Sequence, residues 1–306
     1  MTPTLFFMIG IPGSGKSTYA SKIQNVIVVS SDIVRKELGC RDCVKEDNVR
    51  VFSVVNERAK DHLKHGDNVV YDATNINKKK RTAFLNELKN IPCRKVAVWM
   101  VTPLKMCVER NTKRGKPVPN SAVKRMFYNF NPPDYAEGFD DIKLIFPDEL
   151  DESSYMISGW LDHVSDFNQD NRYHNETLAE HSLRSCTYVT ERSKKLPLIY
   201  AALLHDIGKP YTKSRRLKNG GLDTQSHYFN HDSAGAYVAP LYLNTDSPLS
   251  DREIVYAANL IFYHMRPFQF KSCTQAAESL KSRIGEEMFN DLILLHDADV
   301  VASDEL

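Results

Sequence analysis

Glycines and a lysine near the N-terminus have the spacing of a phosphate-binding loop. Residues 10–18 read GIPGSGKST, which contains the complete pattern G-x-x-x-x-G-K-[ST]. Glycine allows backbone N–H groups to close around phosphate oxygens, and the helix expected after the loop adds partial positive charge. Lys16 is placed to reach the β- and γ-phosphates, and the Ser17 hydroxyl to bind Mg²⁺. We expect a nucleoside triphosphate to contact Gly10, Gly13, Ser14, Gly15, Lys16, Ser17 and Thr18.

An acidic residue and an arginine follow the second apolar segment, and an arginine pair comes later in the chain. Ligands of open α/β sheets bind beyond the carboxyl ends of the strands, so Asp32 is placed to take a proton from an attacking hydroxyl. Arg35, one helical turn on, carries the fork that binds a phosphate. Arg110 and Arg114, at i and i+4 on one predicted helical face, would stabilise negative charge on the transferred group. The alternative is structural, with Asp32 as a helix cap and the arginines as solvated charges.

Histidines and aspartates in the second half suit a metal site. His205 and Asp206 are adjacent within the apolar stretch LLHDIGK, where a charged pair is costly unless it binds something. Imidazole and carboxylate together bind divalent metals. Lys209, four residues after His205 and on the same predicted helical face, could hold a substrate phosphate. Taken singly, His231 or His264 would more often be a packed core histidine than a ligand.

Short apolar segments that alternate with charged stretches would position the phosphate loop, Asp32 and the arginines. Four segments rich in β-branched or aromatic residues cover residues 4–10, 25–32, 68–74 and 95–101. The stretches between them have helical spacing, and this alternation predicts a parallel sheet covered on both faces. The second half has no such strands and reads as a series of helices. We therefore predict an α/β P-loop NTPase domain at residues 1–147 and an all-α domain at residues 155–306.

Charge is divided unevenly between the two halves. The net formal charge is +1, but residues 1–147 carry +10 and residues 148–306 carry −9. A basic half suggests a polyanionic partner such as nucleic acid or a nucleotide. Within this half, residues 78–81 read KKKR. We expect them to be a solvated basic helix start, with contact to a nucleic acid backbone as the alternative.

Composition excludes several protein classes. No apolar run reaches the ~18–20 residues of a membrane span. The apolar start of the chain lacks the basic region and cleavage site of a signal peptide. The six cysteines are irregularly spaced and do not make a disulfide framework. We expect a protein of the reducing cytoplasm with no membrane partner.

The first set of motifs resembles the kinase domain of phage-type polynucleotide 5′-kinases. The shared motifs, within about residues 1–135, are GIPGSGKS, S-S-D-x-x-R, VVYDATN and E-R-N-x-x-R-G-x-x-V-P followed by R-M-F. The resemblance implies ATP-dependent phosphorylation of a 5′-hydroxyl on RNA or DNA. It implies that Asp32 is the general base, that Arg35 contacts the acceptor phosphate, and that Arg110 and Arg114 form a lid pair. Asp72, which ends VVYD, would lie near Mg²⁺ or organise the acceptor pocket.

The ordered histidines and aspartates resemble the HD phosphohydrolase superfamily over about residues 175–303. FNHDSAGA around His231 and IFYHMR around His264 resemble the two further histidines of bimetallic members. Single-metal members use similar positions for substrate, so both uses stay open. The choice of Asp299 as a ligand depends on the pattern A-D-x-x-A around it, and His296 and Asp297 are nearby alternatives. The implied metal ligands are His181, His205, Asp206, His231, His264 and Asp299.

The HD resemblance also implies the metal and the chemistry. The ion would be a divalent transition metal, Mn²⁺, Co²⁺, Ni²⁺ or Fe, and the residue types do not choose among them. Water activated by the ion would attack phosphorus. Related phage kinases carry a phosphatase domain with a D-x-D-G-T motif, which this chain lacks. The HD domain would therefore supply the second activity.

Together the two resemblances imply an enzyme that repairs broken RNA or DNA ends. The kinase would phosphorylate a 5′-hydroxyl, and the HD domain would remove a 3′-phosphate or open a 2′,3′-cyclic phosphate. A ligase in the same pathway, a homo-oligomer and a phage origin with action in the host cytoplasm are compatible with this hypothesis. One alternative is a small-molecule or nucleoside kinase fused to a nucleotide-clearing HD hydrolase. Another is an NTP-dependent regulator.

Overall fold

A computed structural model describes residues 2–41, 44–170, 176–272 and 274–304 of the chain. The chain forms two compact units. The first consists of Met1–Met126 and Pro133–Asp148, and the second of Phe127–Pro132 and Glu149–Leu306. The ranges 1–147 and 155–306 remain predictions of where the two domains begin and end.

The first unit is built on a five-stranded sheet. Its strands are β1 (Thr4–Ile9), β2 (Ile27–Ser30), β3 (Val69–Asp72), β4 (Arg94–Met100) and β5 (Asp141–Ile145). Its helices are α1 (Lys16–Ala20), α2 (Ser31–Glu37), α3 (Lys45–Lys64), α4 (Lys78–Glu87), α5 (Leu104–Thr112) and α6 (Asn120–Tyr128), whose last two residues belong to the second unit. The strand order is β2-β3-β1-β4-β5, and every neighbouring pair is parallel.

The central strands are apolar along most of their length. All four residues of β3 and the last five of β4 are buried. Phe6 of β1 lies in register with Val70 of β3 on one side and Val96 of β4 on the other. Continuous burial of this kind is what a parallel sheet covered on both faces produces. The predicted α/β class is confirmed, and β5 is a strand that the sequence analysis did not foresee.

The predicted solvated start of α4 is wrong for two of its four cations. Arg81 is fully buried and donates to both carboxylate oxygens of Glu137, at 2.8 and 2.7 Å. Lys78 lies 2.7 Å from the carboxylate of Asp134. Asp134 in turn caps the short 3-10 helix Tyr135–Glu137. These pairs join α4 to the segment that precedes β5, so the basic residues serve the fold of this unit.

The second unit is helical. Its helices are α7 (Ile157–His163), α8 (Leu178–Arg192), α9 (Leu196–Leu204), α10 (Lys209–Thr212), α11 (His231–Asp246), α12 (Asp251–Tyr263), α13 (Thr274–Ile284) and α14 (Glu286–Asp304). Within the described residues, no helix combines the length and the apolar character needed to cross a membrane. The predicted helical class is confirmed.

An antiparallel hairpin is an unforeseen addition to the helical unit. It consists of β6 (Ser214–Arg216) and β7 (Leu222–His227). Its strands are short and mostly polar, so they lack the apolar run by which the other strands were predicted. The turn contains Asn219-Gly220-Gly221, and Gly220 has a φ of +90°. Asn-Gly is a strong hairpin signal, and it could have located this element.

Candidate active sites

The loop between β1 and α1 has the backbone that a phosphate cradle requires. Gly13 and Gly15 have φ values of +84° and +93°, in the left-handed region that favours glycine. A side chain at Gly13 would overlap the carbonyl of Cys107, so the loop packs directly on α5. Thr102, which follows β4, donates its hydroxyl to the carbonyl of Ser14 at 2.9 Å. The loop is therefore supported from two neighbouring elements.

The ammonium of Lys16 is buried within this loop. It donates to the carbonyls of Gly10 and Ile11, both at 2.9 Å, and lies 3.5 Å from the hydroxyl of Ser14. Burial lowers the pKa of Lys16, and the nearby carboxylate of Asp72 acts in the opposite direction. A buried cation whose contacts are carbonyl and hydroxyl dipoles is suited to an anion. These residues therefore fit the phosphates of a nucleotide.

A hydroxyl and a carboxylate meet beside the loop. Ser17 Oγ donates to Asp72 Oδ2 at 3.0 Å, and Ser31 Oγ donates to the carbonyl of Asp72 at 3.3 Å. Hydroxyl and carboxylate oxygens are the hard ligands that Mg²⁺ prefers. The pair Ser17 and Asp72 therefore fits Mg²⁺. Of the two places left open for Asp72, this geometry favours the one near the ion.

Charged residues from α2, from α5 and from the loop after α5 surround the same region. Asp32 lies in the first turn of α2 with its side chain 80% exposed, and its Oδ2 lies 4.0 Å from Arg114 Nη2. The guanidinium of Arg110 lies against the loop, with Nη1 3.6 Å from the place a Cβ on Gly15 would occupy. An exposed carboxylate and two guanidiniums are thus placed around the phosphate loop.

The predicted helical spacing of Arg110 and Arg114 is wrong, because α5 ends at Thr112. Asn111 is fully buried and exchanges two hydrogen bonds with the backbone of Val118. Its Nδ2 donates to the Val118 carbonyl at 2.7 Å, and its Oδ1 accepts from the Val118 N–H at 3.1 Å. This exchange turns the chain back after α5. Arg114 therefore reaches its position from a loop.

Arg35 lies near the end of α2 and contacts the segment that leads into α3. It donates to Asn48 Oδ1 at 2.7 Å and to the carbonyl of Arg41 at 3.0 Å. These contacts join α2 to α3 and hold the guanidinium in place. The contact of Arg35 with an acceptor phosphate stays a prediction.

Six buried side chains converge in the second unit. One group of ligand atoms comes from His181, His205, Asp206 and Asp299, and a second from Asp206, His231 and His264. Asp206 belongs to both groups. Its Oδ2 lies 3.5 and 3.3 Å from Nε2 of His181 and His205, and its Oδ1 lies 3.3 and 3.8 Å from Nε2 of His231 and His264. A carboxylate placed in this way can bridge two ions.

Three of the four histidines present Nε2 to the cluster because their Nδ1 faces a carbonyl acceptor. Nδ1 of His205, His231 and His264 lies 2.8, 2.7 and 2.6 Å from the carbonyl of the residue three positions earlier. Since these carbonyl oxygens accept hydrogen bonds, each of the three rings, when neutral, carries its proton on Nδ1 and a lone pair on Nε2. Nδ1 of His181 lies within ion-pair distance of the carboxylate of Glu176, at 3.2 Å. Such outer partners are what orient metal-binding imidazoles.

The facing Nε2 atoms show whether the cluster fits a metal. Those of His181 and His205 are 3.1 Å apart, and those of His231 and His264 are 3.0 Å apart. Two imidazole lone pairs at this distance repel each other unless a cation, a proton or a metal ion, is shared between them. Imidazole nitrogens with carboxylate oxygens are a donor set for divalent transition metals. The six residues fit one or two such ions.

The charges in the cluster agree with this assignment. Burial opposes ionisation of Asp206, but Lys209 and His205 hold its pKa well below its usual range. Burial and the neighbouring histidines lower the pKa of His264 to about 4, so this ring is neutral at pH 7. Burial also lowers the pKa of His205, but Asp206 and Asp299 outweigh it and raise that pKa to about 10. A proton on His205 therefore competes with a metal for the same nitrogen.

Lys209 contacts the cluster through Asp206. Its ammonium lies 2.6 Å from Asp206 Oδ2 and donates to Gln169 Oε1, also at 2.6 Å. The prediction that His205 and Lys209 share one helical face is wrong, because α9 ends at Leu204 and Lys209 begins α10. A bend between the two helices thus separates these residues.

Glycine at position 208 explains the tight packing of this bend. A side chain on Gly208 would overlap the carbonyl of His231, at the start of α11. A Cβ on Gly208 would also lie against the backbone of Gly235. The bend that carries His205 and Asp206 can therefore approach α11 closely. This approach brings Nε2 of His231 to within 3.3 Å of the carboxylate of Asp206.

Sequence reasoning missed four buried or partly buried residues that position the predicted ones: Thr102, Asn111, Gln169 and Glu176. Thr102 could have been found, because it lies two residues after the end of β4, at the edge of the sheet where ligands bind. Asn111 and Gln169 act through contacts with distant backbone or side-chain atoms. No spacing rule indicates either of them.

Comparison with known proteins agrees with the two folds. Residues 5–133 match the AAA domain family, and residues 178–304 match the HD domain family. The L-seryl-tRNA(Sec) kinase of Methanococcus maripaludis is 27% identical over 162 residues, which are 50% of this chain and 63% of that enzyme. The chain thus spans less than two thirds of the length of this curated relative.

Two solved structures resemble parts of the chain. One is the structure of the Pnkp1/Rnl/Hen1 RNA repair complex, at 24% identity and a TM-score of 0.37, covering 42% of this chain and 44% of that one. The other is a candidate kinase from Chloroflexus aurantiacus, at 15% identity and a TM-score of 0.41, covering 53% of this chain and 98% of that one. By its two family matches, the chain is a fusion of an N-terminal AAA-family P-loop domain of the kinase type and a C-terminal HD domain.

Proposed function

We propose that this protein is a bifunctional enzyme that heals broken nucleic acid ends, with RNA as the favoured substrate. Its first unit phosphorylates a 5′-hydroxyl with ATP, and its second removes a 3′-phosphate or opens a 2′,3′-cyclic phosphate. The observation that carries the proposal is that one chain holds both a complete phosphate loop and a buried cluster of histidines and aspartates that fits a metal, with Asp206 in both of its groups. Both sites are built for phosphate, and the two reactions would leave ends ready for a ligase.

In the proposed kinase reaction, Asp32 takes the proton as the acceptor oxygen attacks the γ-phosphorus of ATP. Lys16 holds the phosphates, and Ser17 with Asp72 holds Mg²⁺. Negative charge spreads over the transferred phosphoryl group and the leaving ADP, where Arg110 and Arg114 stabilise it. Arg35 binds a phosphate of the acceptor strand. The exposure of Asp32 supports its role, because an incoming hydroxyl can reach it.

In the proposed hydrolase reaction, His181, His205, Asp206 and Asp299 hold one divalent metal. His231 and His264, together with Asp206, would hold a second ion. Bound metal supplies a Lewis acid that polarises a phosphate ester and lowers the pKa of water. The carboxylate of Glu176 lies 3.2 Å from Nδ1 of His181, and Lys209 adds positive charge beside Asp206 to attract a phosphate.

The curated relative offers limited support for an RNA-linked acceptor. Its name gives L-seryl-tRNA as the substrate of a kinase, so the phosphorylated hydroxyl is carried by RNA. The basic character of residues 1–147 also suits a polyanionic acceptor. An acceptor that is a nucleoside or another small molecule has no such need for positive charge.

The test uses the full chain and ATP labelled on its γ-phosphate. The substrate is a short RNA with a 5′-hydroxyl and with either a 3′-phosphate or a 2′,3′-cyclic phosphate. We expect label on the RNA with Mg²⁺, and loss of the 3′-phosphate or cyclic phosphate with Mn²⁺. Lys16→Ala should abolish only the first reaction, and Asp206→Ala only the second.

Two outcomes would contradict the proposal. Phosphorylation of nucleosides but not of oligonucleotides would favour a small-molecule kinase. Hydrolysis confined to free nucleotides would favour a nucleotide-clearing enzyme or a regulator. Either result would leave the two-domain assignment intact.

A further inference from the structure

The hairpin of β6 and β7 is a basic and aromatic surface in an otherwise acidic half of the chain. Four of the six residues 213–218 are lysine or arginine, whereas residues 148–306 carry a net charge of −9. Arg216 and Lys218 are exposed, and within the described residues neither has an acidic partner. Unneutralised cations clustered in this way attract a polyanion.

An aromatic platform lies beside these cations. The rings of Phe229 and His227 are stacked with centroids 5.3 Å apart and planes within 3° of parallel. The ammonium of Lys218 lies 4.9 Å from the centroid of Phe229. Even so, Phe229 stays 36% exposed. Partly exposed aromatic rings with cations close to them are features on which single-stranded nucleic acids stack their bases.

The same segment leads directly into the metal cluster. Tyr228 accepts from His231 Nδ1 through its carbonyl at 2.7 Å, and its hydroxyl donates to the carbonyl of Gln169 at 2.5 Å. Its ring lies 5.5 Å from the ammonium of Lys209. Phe229 is two residues from the ligand His231, so their Cα atoms are at most about 7.6 Å apart. A nucleotide stacked on Phe229 would thus have its terminal phosphate near the cluster.

We propose that this hairpin and Phe229 form the binding surface for the 3′ end of a single-stranded nucleic acid. Phe229 stacks on a base near the 3′ terminus, and Arg216 and Lys218 contact the backbone phosphates that precede it. The inference rests on the proposed hydrolase function and names how its polymeric substrate is bound. An acidic protein would explain the cations but would leave the stacked, exposed ring without a role.

The test compares a 5′-phosphorylated RNA bearing a 3′-phosphate with bis(p-nitrophenyl) phosphate, both with Mn²⁺ and without ATP. The 5′-phosphate removes the kinase acceptor from the experiment. We expect Phe229→Ala to lower the ratio of kcat/KM for RNA to that for the small ester at least about fivefold. In the double variant Arg216→Ala, Lys218→Ala, the slope of log affinity against log salt should fall by about 0.7 for each lost phosphate contact.

The pair Tyr188 and Arg192 supplies a matched control. Arg192 lies 3.6 Å from the centroid of the Tyr188 ring, so it is another aromatic–cation pair, on α8. Tyr188→Ala with Arg192→Ala should leave the substrate ratio unchanged. RNA with an abasic 3′-terminal nucleotide should make wild type and Phe229→Ala equal. If Phe229→Ala does not fold, Phe229→Leu keeps an apolar side chain and removes the planar ring.

An unchanged ratio in the hairpin variants would overturn the proposal, and so would equal competition by polyglutamate and by RNA. Crosslinking of RNA with a 3′-terminal thiouridine separates this proposal from the hydrolase function. Crosslinks to residues 213–229 without any hydrolysis would support the surface and contradict the hydrolase. Hydrolysis without such crosslinks would support the hydrolase and overturn the surface.

Discussion

The hydroxyl of Ser17 donates a hydrogen bond to the carboxylate of Asp72 at 3.0 Å, which joins the start of α1 to the end of β3. The two residues are 55 positions apart, yet both supply oxygen atoms beside the phosphate loop. If both hold the same ion, their contributions to catalysis cannot be independent.

A double-mutant cycle tests this dependence. Ser17→Ala and Asp72→Ala should each raise the Mg²⁺ concentration needed for half-maximal kinase activity. The double variant should lose less than the sum of the two single losses, with a coupling of about 0.5–3 kcal/mol. Additive losses in kcat/KM would mean that only one of them binds the ion.

Replacing Asp32 should separate chemistry from nucleotide binding. Removal of a general base typically slows the reaction about 10²- to 10⁴-fold, so Asp32→Ala should lose kcat on that scale. Calorimetry should find ATP affinity nearly unchanged, because Asp32 is not among the loop residues. Lys16→Ala is the contrasting variant, and it should lose both the rate and the affinity. Weak ATP binding by Asp32→Ala, with its rate preserved, would overturn the assignment.

Arg35→Ala should discriminate between acceptors. A charge-assisted hydrogen bond to phosphate contributes roughly 1.5–3 kcal/mol, or about ten- to a hundredfold in rate. Phosphorylation of an acceptor with a 3′-phosphate should therefore fall by that factor more than phosphorylation of one without it. Asn48→Ala removes the partner of Arg35 but keeps the guanidinium, and it serves as the control. Equal losses on both acceptors would show that Arg35 only joins α2 to α3.

Substitutions at the bridging aspartate should show how many ions the second unit holds. Asp206→Ala removes a ligand from both groups, whereas His264→Ala removes a ligand from only one. Metal analysis should find two ions per wild-type chain and one ion per His264→Ala chain. Asp206→Ala should retain less metal than His264→Ala. Saturating Mn²⁺ at 100 times its Kd should stabilise the wild-type fold by about 2.7 kcal/mol per site. One ion in wild type would mean that His231 and His264 serve the substrate.

The buried pair of Arg81 and Glu137 should control the stability of the first unit. Glu137→Ala leaves a buried guanidinium without its partner, which typically costs about 3–5 kcal/mol in the free energy of unfolding. Glu87 forms an exposed ion pair with Lys60, with an N–O distance of 2.8 Å. Glu87→Ala breaks this pair and should lower the free energy of unfolding by less than about 1 kcal/mol. Urea unfolding of both variants measures the difference. Similar costs would contradict the role given to the buried pair.

What could be predicted from the sequence depended on how local each signal was. The phosphate loop is a contiguous motif at residues 10–18. His205 and Asp206 are adjacent in the sequence, so this pair can also be recognised without the structure. The sheet followed from four apolar segments because strands buried on both faces must be apolar. Each of these features can be read within about ten residues.

Features that depend on distant partners could not be read in this way. Arg81 looks like a surface cation among three lysines until Glu137, 56 residues away, is placed against it. The end of α5 depends on Asn111 binding the backbone of Val118, which helical spacing does not reveal. The hairpin of β6 and β7 is different, because it is local: its strands have too few apolar residues to be recognised by burial, but its Asn219-Gly220 turn could have indicated it.

The orientation of the histidine ligands has a consequence for the assembly of the metal centre. Nδ1 of His205, His231 and His264 is in each case hydrogen-bonded to the carbonyl three residues earlier. The tautomer of these three imidazoles is thus fixed by a short segment of the chain around each one. Tertiary folding then brings together imidazoles whose Nε2 lone pairs are already available. If a chelator removes the ion and the ion is then returned, we expect the centre to be restored without refolding of the chain.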